Sequence, residues 1–306
     1  TPPSSGAIAV GQILGILAQT PGAAMKPDAA GLPTADWLHY YTEAARLAFA
    51  DRAQYVADPD FVQPPAGSWM SLLDPAYLKS RAALIGAQSL KVAQPGQPGA
   101  LKIGFAPMPE QPEYGTSHIS IVDAHGNALA MTTTIEDAFG ARQMVKGFLL
   151  NNELTDFSFA PTGADGQPIA NRVQPGKRPR SSMAPTLVFE KNADGSRGPL
   201  LMSGGSPGGA LIIHYTAKTL HGVLNWGLTP QQAINLPNFG STNGPSLLEE
   251  KKFPPATVEA LRTRGAEVRE MNMTSGLQAI TRANVHGKPM WLGGADPRRE
   301  GVVLGD

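Results

Sequence analysis

A threonine hydroxyl becomes a useful nucleophile only when a base lies beside it. In the run Gly115-Thr116-Ser117-His118, Thr116 stands where it could acquire one. If the bond before it were cut, its own α-amine would come within reach of its Oγ and serve as proton acceptor. An exposed irregular segment, a small residue and then a threonine heading a strand is the arrangement such a cut needs. Spacing alone leaves the ordinary reading open, because threonine is a common strand former.

Other groups invite the same double reading. Gly208 and Gly209 in Gly205-Ser206-Pro207-Gly208-Gly209 precede a predicted helix. Their unshielded N–H groups suit either an oxyanion hole or a tight turn. No Gly-Lys-Ser/Thr follows, so a phosphate loop is dismissed. Glu153 and Asp156, three apart, could hold an ammonium or lie in a solvated acidic loop. The Ser181 and Ser182 hydroxyls suit a carboxylate or a turn. Lys177, Arg178 and Arg180 could raise the local potential, but three basic residues in a loop are usually just solvated. The histidines at 118, 125, 214, 221 and 286 show no metal-ligand spacing, so neither a metal nor another cofactor is assigned.

Composition narrows the field. With 42% hydrophobic and 16% charged residues the chain is a folded protein. Its net charge of zero gives no footprint for nucleic acid or an acidic membrane. Cysteine is absent, which excludes thiol catalysis, disulfides and Cys-based zinc sites and suits a periplasmic or secreted setting. No apolar run approaches the roughly 18 residues of a membrane span. The opening Thr1-Pro2-Pro3-Ser4-Ser5-Gly6 reads as an internal loop, so an upstream segment is expected.

The elements that must position these groups follow from periodicity. Ile8, Ile13, Leu14 and Leu17 recur at helical spacing. Asp36 is a candidate cap for a helix with a stripe of Trp37, Leu38, Tyr41, Ala45, Ala48 and Phe49. Residues 75–85 read as a short helix, and 93–112 as a linker or exposed loop too irregular for the core. His118 to Val122, the turn residues 123–127 and 128–135 make a β-hairpin with Thr116 at its first position. Strands are expected at 147–151, 185–190 and 200–203. Helices are expected after Gly209, from the capping box at Thr229-Pro230-Gln231-Gln232, and over 255–264, closing at Gly265. Strands and helices with hairpin connections argue for an α+β layered sandwich over a doubly wound parallel sheet.

Several blocks, in order along nearly the whole chain, resemble the γ-glutamyltransferases of the N-terminal-nucleophile hydrolase superfamily. They are Ala50-Asp51-Arg52 through Asp58-Pro59-Asp60-Phe61, Thr116 to Asp123 with Gly126-Asn127, and Phe148 to Ser158. Lys177 to Thr186, Gly205 to Gly209 and Ala295-Asp296-Pro297-Arg298 complete the set. The resemblance implies a four-layer αββα sandwich cut between Gly115 and Thr116. Residues 1–115 would be the helical end of a large subunit, and 116–306 the small catalytic subunit. It further implies that Thr116 forms an acyl-enzyme with γ-glutamyl amides such as glutathione, resolved by water or an amino acid acceptor. Thr134 would hydrogen-bond the nucleophile and Gly208 and Gly209 would hold the oxyanion. Glu136, Glu153, Asp156, Ser181 and Ser182 would contact substrate.

The sequence departs from the family at Glu136, where Asn is usual, and at 160–175, a lid without an aromatic residue. The Arg that grips the substrate carboxylate in the family comes from the early large subunit, a region outside this sequence; that upstream segment is the expected partner. A cephalosporin or glutaryl acylase of the same superfamily, and a non-catalytic fragment or pseudoenzyme, are the alternatives.

Overall fold

The computed structural model describes residues 5–99, 104–111 and 115–305. Pro2-Pro3-Ser4 and the Glu113-Tyr114 that precedes the expected cut lie outside them.

Helices and sheet are mixed along the chain, as an α+β protein requires. α1 (Ala7–Leu17), α2 (Ala35–Tyr55) and α3 (Pro75–Ala82) come first. Thr34, not Asp36, caps α2: its Oγ1 accepts the Trp37 N–H at 3.2 Å. Asp36 instead sits in the first turn and pairs with Arg264, where a carboxylate still suits the positive helix end. Uninterrupted by Gly or Pro, α2 runs for 21 residues and buries nearly every side chain, charged ones included.

The hairpin β1 (Ser117–Val122) and β2 (Ala128–Thr133) follows, closed by Asp123, whose Oδ1 accepts the N–H groups of His125 and Asn127. β3 (Met144–Val145) and β4 (Phe148–Leu149) form a short hairpin, so the strand expected over 147–151 shrinks to two residues. Lys146 and Gly147 both take positive φ there and turn the chain back on itself.

β5 (Thr186–Lys191), β6 (Arg197–Gly205), α4 (Ile212–Leu224) and α5 (Pro230–Asn235) come next, with the capping box at Thr229 and Gln232 formed. β7 (Phe239–Gly240), β8 (Ser246–Glu249), α6 (Pro255–Thr263), β9 (Val268–Met271), β10 (Gln278–Val285) and β11 (Lys288–Ala295) complete the order. Gly265, just past α6, has φ +79, a conformation that suits glycine at a helix end.

An antiparallel sheet ordered β11-β10-β6-β5 is the centre. On one side Met202 joins the core built by α1, α2 and α4, with Trp37, Tyr41, Tyr215 and Phe239 buried. β6 is bonded on both edges, so the β1–β2 hairpin meets the sheet face-on; Ser203 Oγ donates to Leu129 O at 2.9 Å.

That hairpin is inverted relative to an ordinary amphipathic one. His118, Ser120, Ala130 and Thr132 face the small residues of β6, while Ile119, Ile121, Leu129 and Met131 form an exposed apolar face. His118 fits only because Gly205 lacks a Cβ, which would collide with the ring. Burial pushes that ring down to about 4, and its two nitrogens pair with Thr132 Oγ1 and Ser120 Oγ.

The linker expectation needs correction. Ala106 and Met108 are buried with Ile169, and the Met108 N–H donates to Ala53 O at 3.0 Å. Among the described residues, 104–111 are irregular but packed, and carbonyls of α2 and of residue 168 accept the N–H groups of Met108 and Ala106. Among the described residues no helix is long and apolar enough to cross a membrane.

Candidate active site

Thr116 lies immediately before β1, half-buried, at φ 151. For a β-branched residue this backbone is strained, on the order of 1–3 kcal/mol. Gly115 before it sits at φ +57, and a Cβ there would run into the carbonyl oxygen of Glu136. Only glycine fits. Backbone strain thus falls on Thr116, directly after a glycine that no other residue could replace.

Around Thr116 a small cleft, open to solvent, is lined by Thr134, Glu136, Glu153, Asp156, Ser181, Ser182 and Gly209. Every candidate substrate-contacting side chain therefore comes to one place. Gly208 lines the adjoining cleft with Ala210, Thr242 and Arg269. Gly208 (φ +136) and Gly209 (φ +58) both adopt backbones suited to glycine, and a Cβ on Gly208 would strike the Tyr215 ring. They stand one turn before α4, whose dipole places positive potential at that end.

The acidic side is held by local hydrogen bonds. The Glu136 N–H donates to Thr134 Oγ1 at 2.7 Å, and Glu136 Oε2 accepts from Asn152 Nδ2 at 2.5 Å and Thr155 Oγ1 at 3.1 Å. Glu136 is buried at φ 70, a local strain that these bonds help to maintain. Glu153 and Asp156 occupy the two ends of a single 3₁₀ turn, with Asp156 buried. Asn152 and Thr155 were quoted in the sequence only as part of a block. Their function as holders of Glu136 becomes visible once the turn folds back.

The serine side is held by distant parts of the chain. Arg52 Nη2 donates to Ser182 Oγ at 2.6 Å and to Ser181 O at 3.2 Å. From α1's approach, Ser5 Oγ and the Gly6 N–H donate to Met183 O. Asp58, fully buried, accepts from the Arg178 N–H (2.8 Å), Nε (3.1 Å) and Nη2 (2.6 Å), which holds its carboxyl down at about 2. The Arg180 N–H donates to Asn171 Oδ1 at 2.8 Å.

The expectation that Lys177, Arg178 and Arg180 are merely solvated is therefore wrong for Lys177 and Arg180, while Arg178 is paired but keeps an exposed side chain. Lys177 and Arg180 are buried, and Arg178 bridges Asp58 and Asp60. Lys177 Nζ donates to the carbonyls of Ala170 and Arg172 and to Gln174 Oε1, and burial lowers it to about 8. A cation taken from water must find acceptors, and the loop backbone provides them.

A model of the γ-glutamyltranspeptidase family matches residues 1–306. The chain belongs to that family. It is 34% identical to a glutathione hydrolase proenzyme of a Pseudomonas strain, over 99% of this chain and 52% of that one. Among solved structures, a mutant γ-glutamyltranspeptidase of Helicobacter pylori is 29% identical with a TM-score of 0.53, covering 60% of this chain and 99% of its own. A cephalosporin acylase from Bacillus halodurans, 24% identical, shares the fold with a TM-score of 0.78, over 99% of this chain and 50% of its own. The chain spans about half the length of the curated relatives it matches.

Proposed function

We propose that this chain is part of a γ-glutamyl transferase or hydrolase that cuts itself before Thr116 and then works through a Thr116 acyl-enzyme. The observation that carries the reading is the convergence on Thr116 of three carboxylates and two serine hydroxyls, drawn from positions 136 to 182. A γ-glutamyl group presents an α-ammonium and an α-carboxylate, which those two sets complement.

In the reaction, the freed α-amine of Thr116 takes the Oγ proton as Oγ attacks the γ-carbonyl carbon. Charge developing on the carbonyl oxygen is met by the N–H groups of Gly208 and Gly209. The C–N bond breaks and the amine leaves with the proton. Water or an amino acid amine then adds to the ester and releases Thr116 by the same steps reversed. Thr134 supports Oγ, and Glu136, Glu153 and Asp156 hold the ammonium. Ser181 and Ser182 hold the carboxylate.

The strained backbone at Thr116 supports a cut before it, because scission releases the strain. The division into residues 1–115 and 116–306 is supported by the solved relative whose whole chain matches 60% of this one. Residues 116–306 are about three fifths of the sequence. A four-layer αββα sandwich is supported by the exposed apolar face of β1–β2. Helices, central sheet and hairpin are three layers, and that face needs a fourth, supplied by the upstream part of the complete protein. A periplasmic or secreted location accords with the absence of cysteine.

Replacing Thr116 by Ala in the complete protein tests the proposal. Cleavage before residue 116 is expected to stop, and turnover of γ-glutamyl p-nitroanilide to fall by about a thousandfold or more. Undiminished turnover would end it. A glutaryl donor carries no ammonium, so three carboxylates in the cleft disfavour the acylase reading. Preference for glutaryl over γ-glutamyl anilide would reverse that ranking. An intact mass that stays unprocessed in the complete protein would favour the pseudoenzyme.

A further inference from the structure

We propose that Arg52 is a positioning residue that gives the Ser181–Ser182 end of the cleft its positive character, so that this chain itself contributes charge toward the substrate α-carboxylate. The inference rests on the γ-glutamyl reading and adds to it a residue that never touches the substrate.

Arg52 lies in the last turn of α2, 3% exposed, with its guanidinium 5.6 Å from the Phe49 ring centroid. A charge so deep persists only with strong partners, and two of them are the serine segment itself. The bond to Ser182 Oγ at 2.6 Å is ionic and short. A hydroxyl oxygen that accepts from a cation turns its own proton away from that cation. Ser181 Oγ is oriented in the same manner, since it accepts the Met183 N–H at 3.1 Å. Both serines line the Thr116 cleft, and each hydroxyl oxygen already accepts a hydrogen bond, a polarity that favours its donating to an anion.

The opposite end of the cleft gives this charge its use. Glu136, Glu153 and Asp156 together repel a carboxylate, and two neutral hydroxyls offset little of that repulsion. A guanidinium directly behind one hydroxyl, in surroundings of low dielectric, restores a gradient from acidic to basic along the cleft. Arg52 does not line the Thr116 cleft. It lines a neighbouring one with Phe49, Met108 and Arg180, so its effect passes through the serines.

The test uses the complete protein, with Arg52→Met and Arg52→Lys, and two donors. γ-Glutamyl p-nitroanilide carries both the amine and the carboxylate, whereas 4-aminobutyryl p-nitroanilide carries the amine alone. Arg52→Met is expected to raise KM for the γ-glutamyl donor by about ten- to a hundredfold. Its kcat should change by less than about threefold, and KM for the aminobutyryl donor by less than about twofold. Arg52→Lys keeps the charge with a poorer fit and should fall between wild type and Arg52→Met, which preserves the test if the Met variant does not process. Equal losses on both donors, or an unchanged γ-glutamyl KM, overturn the role of Arg52 alone. A processed wild type inactive on both anilides overturns the γ-glutamyl reading, and this proposal with it.

Discussion

The two walls of the Thr116 cleft are built on different principles. The serine wall, residues 178–185, is pinned by Ser5, Gly6, Arg52 and Asp58, all far from it in sequence, and by the nearby Asn171. Two of these partners, Arg52 and Asp58, are buried charges. The acidic wall, 134–156, is held chiefly by bonds within itself, among Thr134, Glu136, Asn152 and Thr155, with Gln111 and Asn171 donating to the carbonyls of Thr155 and Asp156. Its outer side carries Phe139, Met144, Phe148 and Leu154, each more than 60% exposed. The first wall is pinned from within this chain. The second, together with the β1–β2 face, presents apolar surface of the kind that marks an interaction site.

This contrast can be broken most forcefully at Ile121. In the complete protein Ile121→Ala should cost about 2–5 kcal/mol, as for a core residue. In this 306-residue chain alone, the same change should stay within about 0.5 kcal/mol. Urea titrations of both forms decide it; equal small effects would mean that the face is never covered.

At the other wall, Asp58→Asn should cost about 1–3 kcal/mol in either form, because the Arg178 lock lies wholly within this chain. An effect confined to the complete protein would contradict that. The lock also predicts acid lability. Asp58 titrates at about 2 against an ordinary 3.8, so its contribution is fully present above the unfolded value. It is lost as pH falls from about 4 toward 2. Asp58→Asn should flatten the stability profile in that window.

The smallest effect is expected at Thr155→Val, which removes one of the donors to Glu136. KM for γ-glutamyl anilide should rise by about two- to tenfold, with kcat little changed. A larger loss than for Arg52→Met would reverse the ranking of the two walls.

Much of the site was legible before folding. Thr116, the Gly208-Gly209 pair, Glu153, Asp156, Ser181 and Ser182 stood in blocks whose order implied one site, and the structure brings them to the same cleft and its immediate neighbour. The buried charges were less legible. Arg52, Glu43, Arg46 and Asp51 lie on a helix with an apolar stripe, and charge on such a helix was the available sign of paired partners. Which partners was not readable, since Ser182 is 130 positions from Arg52. The helix cap fell to Thr34 over Asp36 because capping depends on where the first turn begins, which periodicity leaves uncertain by a residue or two.

What the sequence determined by itself was local: the turn at Asp123 to Asn127, the capping box at Thr229, the closing glycine at 265, and the chemical types grouped in each block. These depend on backbone preferences and hydrogen bonds that span a few residues. Only the tertiary structure decided that the apolar side of β1–β2 faces outward, that Lys177 and Arg180 are buried, and that Arg52 backs the serines. Each of those outcomes depends on which surface packs against which, a choice set by the whole chain rather than by any short segment of it.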